Sequence, residues 1–454
     1  MRILLIQPPS NIMSNRKESK PALPPYGLAC IAGYLRNIGH ETQIYDMLTE
    51  GYYKESKSKE YIRYGCDEVD LSNKLSNFKP DIVGVSCIAS LRHFEACDVI
   101  KWTKQYNPNI ITAMGGNHPS SLPELVIKDC VGSLDYIIDG EGDFDFPKLF
   151  NGVQKKTKVI SCESTINLDT LPVAAHDILP LDLYKKIWKE TSYHFYETKK
   201  YTIMSTSRGC VNRCRHCPHN VVFGRGWRQQ SVNRLLDEIN WVVDELGVEE
   251  IQFHEYNGQV NHEYMMQLSK SIKKFNIRWG YPIGMWVKLL NQPLLDTMRE
   301  SGMDYINLAI ESPKKNVLDT MPGKNVDLNY VNKVIKWCNE RDYYINSFFM
   351  IGYPDQTLEE MWETVEYAKS LDINTVAFFI VQPCPATSWW NEVEFIDGFH
   401  PMMIRYGKCN LKSDLWNPEE VEEIRHRGRE EFVKSRLKVG SKLRGKDYVI
   451  KSTN

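Results

Sequence analysis

Short apolar runs recur along this chain, each closed by glycine, proline or serine and followed by a stretch of helical periodicity. In the first third they are ILLIQ (3–7), TQIYD (42–46), DIVGVS (81–86), IITAMGG (110–116) and DYIIDGEG (135–142). Helical patterns over 26–39, near 92–106 and over 121–129 separate them, and Gly39 ends the first. Runs this short and this apolar read as parallel strands covered on both faces, joined by crossover helices. The expected class is α/β, with a doubly wound, Rossmann-like sheet over residues 1–150. Such sheets bind ligands at the carboxyl ends of their strands. Here those ends are QPPS, VSCIAS, GGNHPS and DGEGD.

Residues 151–200, with Pro172, Pro180 and many charges, read as a connector. A second alternation starts at Tyr201. Its candidate strands are 201–207, 250–255, 278–283, 305–310, 344–350 and 375–381, with amphipathic helices near 231–246, 263–275, 293–301, 328–341 and 357–371. Six strands with crossover helices predict a partial (β/α)6 TIM-like barrel over 201–390, again with its chemistry at the strand C-termini. Residues 391–454 form a short, mostly helical C-terminal segment with a helix near 418–436 and a loosely ordered tail from 437.

A net charge of −2 gives no reason to expect nucleic acid or an anionic membrane as partner. No apolar run reaches the roughly 18 residues of a membrane span. The N-terminus MRILLIQPPS is too short for a signal h-region, so the expectation is a cytoplasmic protein. Of twelve cysteines, nine are scattered singly and read as small buried thiols.

The other three, Cys210, Cys214 and Cys217, fall in RGCVNRCRHCPHN at the spacing Cys-x3-Cys-x2-Cys. A structural zinc site wants four closed ligands, which His216 or His219 could complete. A cubane held by three thiolates instead leaves one iron open. The triplet follows the first barrel strand, and in spacing and placement it resembles the radical S-adenosylmethionine (SAM) superfamily. The resemblance implies a [4Fe-4S] cluster, SAM chelated to the open iron, and a 5′-deoxyadenosyl radical that abstracts hydrogen from substrate. His216 stands where that family commonly has an aromatic residue.

Further along the barrel, FHEYN (253–257) resembles the family's contact to the methionine amino group, with Glu255 as the candidate and Tyr256 and Asn257 beside it. Glu311-Ser312, in AIES, resembles the pair that approaches the ribose, and the following KKNVLDTMPGKNVD is similar as well. MIGYPDQT (350–357) resembles the turn at the adenine edge, where Gly352 would let backbone come close. VQPCPAT (381–387) resembles a further loop of that pocket. Trp389 and Trp390 and the aromatic run SYHFYE (192–197) are candidate substrate-pocket or interdomain packing groups.

The first domain resembles the cobalamin-binding domain of one branch of this superfamily, through 23–46, 81–86, 115–120 and 135–150. The implied corrin contacts are Pro8, Ser86, Gly115, Gly116, Gly140, Glu141 and Gly142. The Asp-x-His-x-x-Gly motif of histidine-ligated cobalamin domains is absent, and Arg92, His93 and His118 are candidates for the lower corrin face. The resemblance implies a cobalamin-dependent methyltransferase acting on an unactivated carbon of a small molecule or peptide, reduced by a flavodoxin or ferredoxin. Two alternatives stay open. One is a cobalamin-free radical dehydratase, cyclase or mutase whose first domain is vestigial. The other is a non-catalytic corrinoid or metal-binding protein.

Overall fold

The computed structural model describes residues 1–14, 20–190, 199–224, 226–255, 258–321, 324, 327–405 and 407–439. SYHFYE, Tyr256, Asn257 and most of the tail expected from 437 lie outside the described residues.

Six parallel strands form the first sheet: β1 (Arg2–Gln7), β2 (Glu41–Asp46), β3 (Ile82–Ser86), β4 (Ile111–Gly115), β5 (Tyr136–Asp139) and β6 (Lys158–Ser161). Their spatial order is β2-β1-β3-β4-β5-β6. The order reverses between β1 and β3, and at such a switch point a crevice opens outside the strand ends. Ile3, Leu4, Leu5 and Ile6 are fully buried, as two-sided cover by helices requires. β6 comes from the stretch read as connector. That stretch also holds the amphipathic helix Leu181–Glu190, whose Tyr184 hydroxyl donates to the buried Asp46. A three-stranded antiparallel ribbon (Ser10–Met13, Tyr61–Tyr64, Glu55–Lys57) had no clear signal, because its strands are short and one is fully exposed.

Two further parallel sheets make up a partial barrel, the first of β7 (Tyr201–Met204), β8 (Glu250–Phe253) and β9 (Arg278–Gly280), the second of β10 (Met285–Trp286), β11 (Tyr305–Glu311), β12 (Tyr344–Ile351) and β13 (Thr375–Ile380). The strand expected over 278–283 stops at Gly280, and after a turn through Pro282 and Gly284 the separate β10 follows. Proline lacks the N–H that a ladder needs, and Gly284 takes φ +113°. In β12 and β13 burial alternates, so that Tyr344, Asn346, Phe348, Met350, Ala377 and Phe379 face a partly open lumen.

The helix Leu358–Ser370 starts in a capping box, with the Thr357 and Glu360 side chains each bonding the other's backbone. The C-terminal helix Pro418–Val439 covers it and the outer strand β13, where Arg425 Nε donates to the Phe378 carbonyl at 3.0 Å. Between these helices the chain doubles back to the first domain. There the His400 ring stacks on Phe94, and Arg405 Nη1 donates to the Asn11 carbonyl at 3.3 Å.

Candidate active site

After β7 the chain makes a short ribbon in which Ser207–Arg208 pairs antiparallel with Arg228–Gln229, and the loop between them carries the three cysteines. The neck closes tightly. Gly209 sits at φ +84°, and a Cβ there would lie 2.1 Å from the Gly226 carbonyl oxygen, so only glycine fits. The buried Glu255 carboxylate fixes the approach to the ribbon. It accepts the Ser207 N–H at 2.7 Å, the Ser205 hydroxyl at 2.9 Å, and both the N–H and the hydroxyl of Thr206. Expected at a methionine amino group, Glu255 is committed here to protein donors.

β11 ends in a bulge against β12, with Glu311 at φ +69°. Its carboxylate pairs with the Lys324 ammonium at 2.5 Å. Burial pushes the Cys214 thiol up to about 12. Lys324 acts against that rise, while Cys217, Glu311 and Cys210 add to it. Burial likewise raises Cys217, with Lys324 again opposing. Lys324 therefore sits within electrostatic reach of the cysteines and is a site residue that sequence reading missed. Its signal was the position of KNVD just beyond the Glu-Ser pair. Ser312 is fully buried, and its hydroxyl accepts the Lys314 N–H at 3.0 Å.

The loop after β13 docks on the cysteine loop. Cys384 N–H donates to the His216 carbonyl (3.3 Å) and Trp389 N–H to the Arg215 carbonyl (3.2 Å). The Trp389 ring centroid lies 5.3 Å from that of Tyr353 and 5.5 Å from the Arg215 guanidinium carbon. Trp390 packs instead on Phe395 and Phe399. Gly352, expected to let backbone reach an adenine, answers to a different neighbour. At φ +84° a Cβ there would lie 2.9 Å from Val421 of the C-terminal helix.

These residues fit the implied cluster and its chelate. Each thiolate of a cubane binds a different iron, so the cysteines need not converge on one point. Among the described residues no three His, Cys, Asp or Glu side chains do converge to hold a single ion, unlike a closed zinc site. Burial holds the His216 imidazole down to about 4, and its ring lies edge-on to Tyr353. Gln259, 1% exposed on the turn after β8, has neither amide atom hydrogen-bonded among the described residues. Orphaned groups of this kind call for a polar partner, supplied by ordered water or a ligand.

In the first domain, Ser86 and Gly115 lie opposite one another at the ends of β3 and β4, both part-exposed. Pro8, after β1, is buried. Gly116 and Gly140 sit at positive φ, and a Cβ there would also lie 2.8 Å from the Cys87 and 3.0 Å from the Cys162 carbonyl oxygen, while a Cβ on Gly142 would meet Ile138. Ile88 stands 55% exposed on the loop after β3, and the Arg92 Nε is buried without a partner among the described residues. An apolar rim with an orphaned donor fits a flat ligand carrying polar side groups. Glu141 is turned away from such a ligand and ion-pairs with Arg208 and Arg228. Neither histidine has a free ring nitrogen. His93 bonds Asp129 at 2.9 Å and His118 at 2.8 Å, and His118 bonds Ser90 at 2.9 Å.

The B12 binding domain model matches residues 15–149, and the Radical SAM superfamily model matches residues 204–368. The chain carries a B12-binding domain followed by a radical SAM domain. This radical SAM chain is 28% identical over 407 residues to an uncharacterised methyltransferase of Pyrococcus horikoshii, covering 86% of this chain and 82% of that one. It is 26% identical over 476 residues to cytidylyl-2-hydroxyethylphosphonate methyltransferase of Streptomyces wedmorensis, covering 93% and 88%. Its fold matches the radical SAM methyltransferase TsrM of Kitasatospora setae, solved with cobalamin and a [4Fe-4S] cluster, at TM-score 0.65 and 15% identity over 86% of this chain and 77% of that one.

Proposed function

We propose that this radical SAM protein is a cobalamin-dependent methyltransferase acting on an unactivated carbon of a small-molecule or peptide natural product. The observation that carries the reading is the meeting of the two pockets. The short helix Asn117–Ser121, at the end of β4, packs on His219–Phe223, which directly follows Cys217 and Pro218. A methyl carrier and a radical source must serve one substrate, and pockets on abutting loops allow that.

Bound there, a [4Fe-4S] cluster with SAM supplies a hydrogen-abstracting 5′-deoxyadenosyl radical, and a methylated cobalamin supplies the methyl group. The chain's own residues bind, orient and exclude water. Cys210, Cys214 and Cys217 would each hold one iron and leave the fourth open. Lys324 would offer a cation to a chelating carboxylate, and Gln259 both a donor and an acceptor. Glu311 and Ser312 would line the ribose side, with Glu311 also orienting Lys324. Phe348 and Phe379, edge-to-face at 5.4 Å in the lumen, would keep water from a reactive intermediate. A flavodoxin or ferredoxin would deliver the electron. Among the described residues no helix is long and apolar enough to cross a membrane.

The first half of this chemistry can be tested without knowing the substrate. The reconstituted protein, given reduced cobalamin and SAM, should yield bound methylcobalamin and S-adenosylhomocysteine. Formation of 5′-deoxyadenosine with no methyl transfer to the corrinoid would reject methyltransferase chemistry and favour a dehydratase, cyclase or mutase.

A further inference from the structure

The Arg208 side chain leaves the neck of the cysteine loop, two residues before Cys210, and reaches into the first domain. Its Nη1 lies 2.8 Å from Glu141 Oε2 and 2.7 Å from Asp143 Oδ2, and its Nη2 lies 3.2 Å from Asp143 Oδ1. Arg228, directly opposite Arg208 in the ribbon, places Nη2 2.6 Å from Glu141 Oε1. The Arg228 guanidinium also donates to the carbonyls of Thr165 (2.7 Å) and Phe223 (2.9 Å). None of the four charged side chains is more than 12% exposed. Two cations therefore face two anions away from water, and forked guanidinium contacts fix orientation as well as distance.

Each partner sits on a stiff piece of backbone. Glu141 lies between Gly140 and Gly142 in the turn after β5, and Gly140 and Gly142 are wedged against Cys162 and Ile138. Arg208 and Arg228 are held by the ribbon, and Glu255 anchors the ribbon's first strand at Ser207. Relative motion of the domains of one chain is restrained by the interface between them, and this charge cluster is the part of that interface that adjoins the cysteine loop. Misplacement of reacting groups by about 1 Å can cost on the order of 10²-fold in rate.

We infer that Arg208, Arg228, Glu141 and Asp143 form a latch that fixes the turn after β5 to the cysteine loop and so sets the separation between the corrinoid pocket and the cluster. The inference rests on the proposed two-cofactor reading. The four are positioning residues, and none of them needs to touch a cofactor.

The test uses the full-length holoprotein carrying Glu141→Gln with Asp143→Asn, and Asp143→Asn alone as the milder variant. Iron and corrinoid per chain are measured first, followed by the electron paramagnetic resonance of cob(II)alamin with the cluster reduced. Wild type should show one defined magnetic coupling between cobalt and cluster. Both variants should keep both cofactors and lose that single coupling, which spreads over a range of separations, more widely in the double variant. A double variant that binds both cofactors and keeps the wild-type coupling would overturn the latch. So would variants that lose either cofactor, because the cluster of charges would then be a binding or folding element. Wild-type protein free of corrinoid would overturn the two-cofactor reading itself, before any variant is compared.

Discussion

The Glu311 carboxylate lies 2.5 Å from the Lys324 ammonium, and Lys324 in turn bears electrostatically on Cys214 and Cys217. A buried pair is costly to break from one side, by about 3–5 kcal/mol, because the remaining charge is left unpaired. Lys324→Met should therefore destabilise the barrel and weaken SAM binding at least about tenfold, or ~1.4 kcal/mol. The cluster signal recorded without SAM should change little. Equilibrium binding of SAM to the reconstituted variant checks this, and wild-type affinity would contradict the assignment.

Glu255 leads to a different expectation. Its carboxylate accepts four protein donors around Ser205–Ser207. A glutamine in its place would turn an N–H toward N–H donors, and each buried group left unsatisfied costs about 1–3 kcal/mol. Glu255→Gln should lower the melting temperature and the iron content together. A variant that kept its iron and lost only SAM affinity would show that Glu255 serves the ligand rather than the loop.

Gly352→Ala separates packing from binding. The alanine would take φ +84° and bring its Cβ 2.9 Å from Val421. Strain and overpacking together should cost about 1–3 kcal/mol, seen as a lower melting temperature. SAM affinity per folded molecule should stay at the wild-type value.

The histidine chain in the first domain carries a pH dependence. Burial, followed by positive charge at His93 and His400, holds His118 down to about 3. The unfolded chain, at an ordinary value near 6.5, then binds a proton that the folded chain does not. This contribution is complete above pH 6.5 and is lost as pH falls toward 3. His93 has the opposite sign. Burial opposes its charge, but Cys97 and Asp129 outweigh burial and raise it, so its contribution is present below 6.5 and lost as pH rises through the raised value. Between pH 6 and 4 the His118→Asn variant should show an unfolding free energy with an acid slope shallower by about 1.4 kcal/mol per pH unit. Urea titrations across that range measure it, and an unchanged slope would mean that His118 protonates freely in the folded chain.

Sheet composition and strand order of appearance were legible because parallel strands such as DIVGVS and IITAMGG are apolar on both faces and end in glycine. The early end of the third barrel strand was not, since RWGYPI keeps a strand-like pattern past Gly280, where the strand stops. The cysteine triplet was legible from spacing alone. The protein neighbours of Glu255 and Gly352 (Thr206 for one, Val421 for the other) were not, because they come from segments distant in sequence or from backbone geometry that no local pattern encodes. Lys324 was hidden by distance in sequence from the cysteines it faces. The pairing of Glu141 with Arg208 and Arg228 was not legible, because both arginines come from a ribbon much further along the chain.

The measurement closest to the central claim is the cofactor content of protein produced anaerobically in cells supplied with cobalamin. About one corrinoid and about four irons per chain are predicted, with the iron lost and the corrinoid retained when Cys210, Cys214 and Cys217 are all replaced by alanine. Four irons with no corrinoid would contradict the methyltransferase reading, and zinc in place of iron would contradict the radical chemistry altogether.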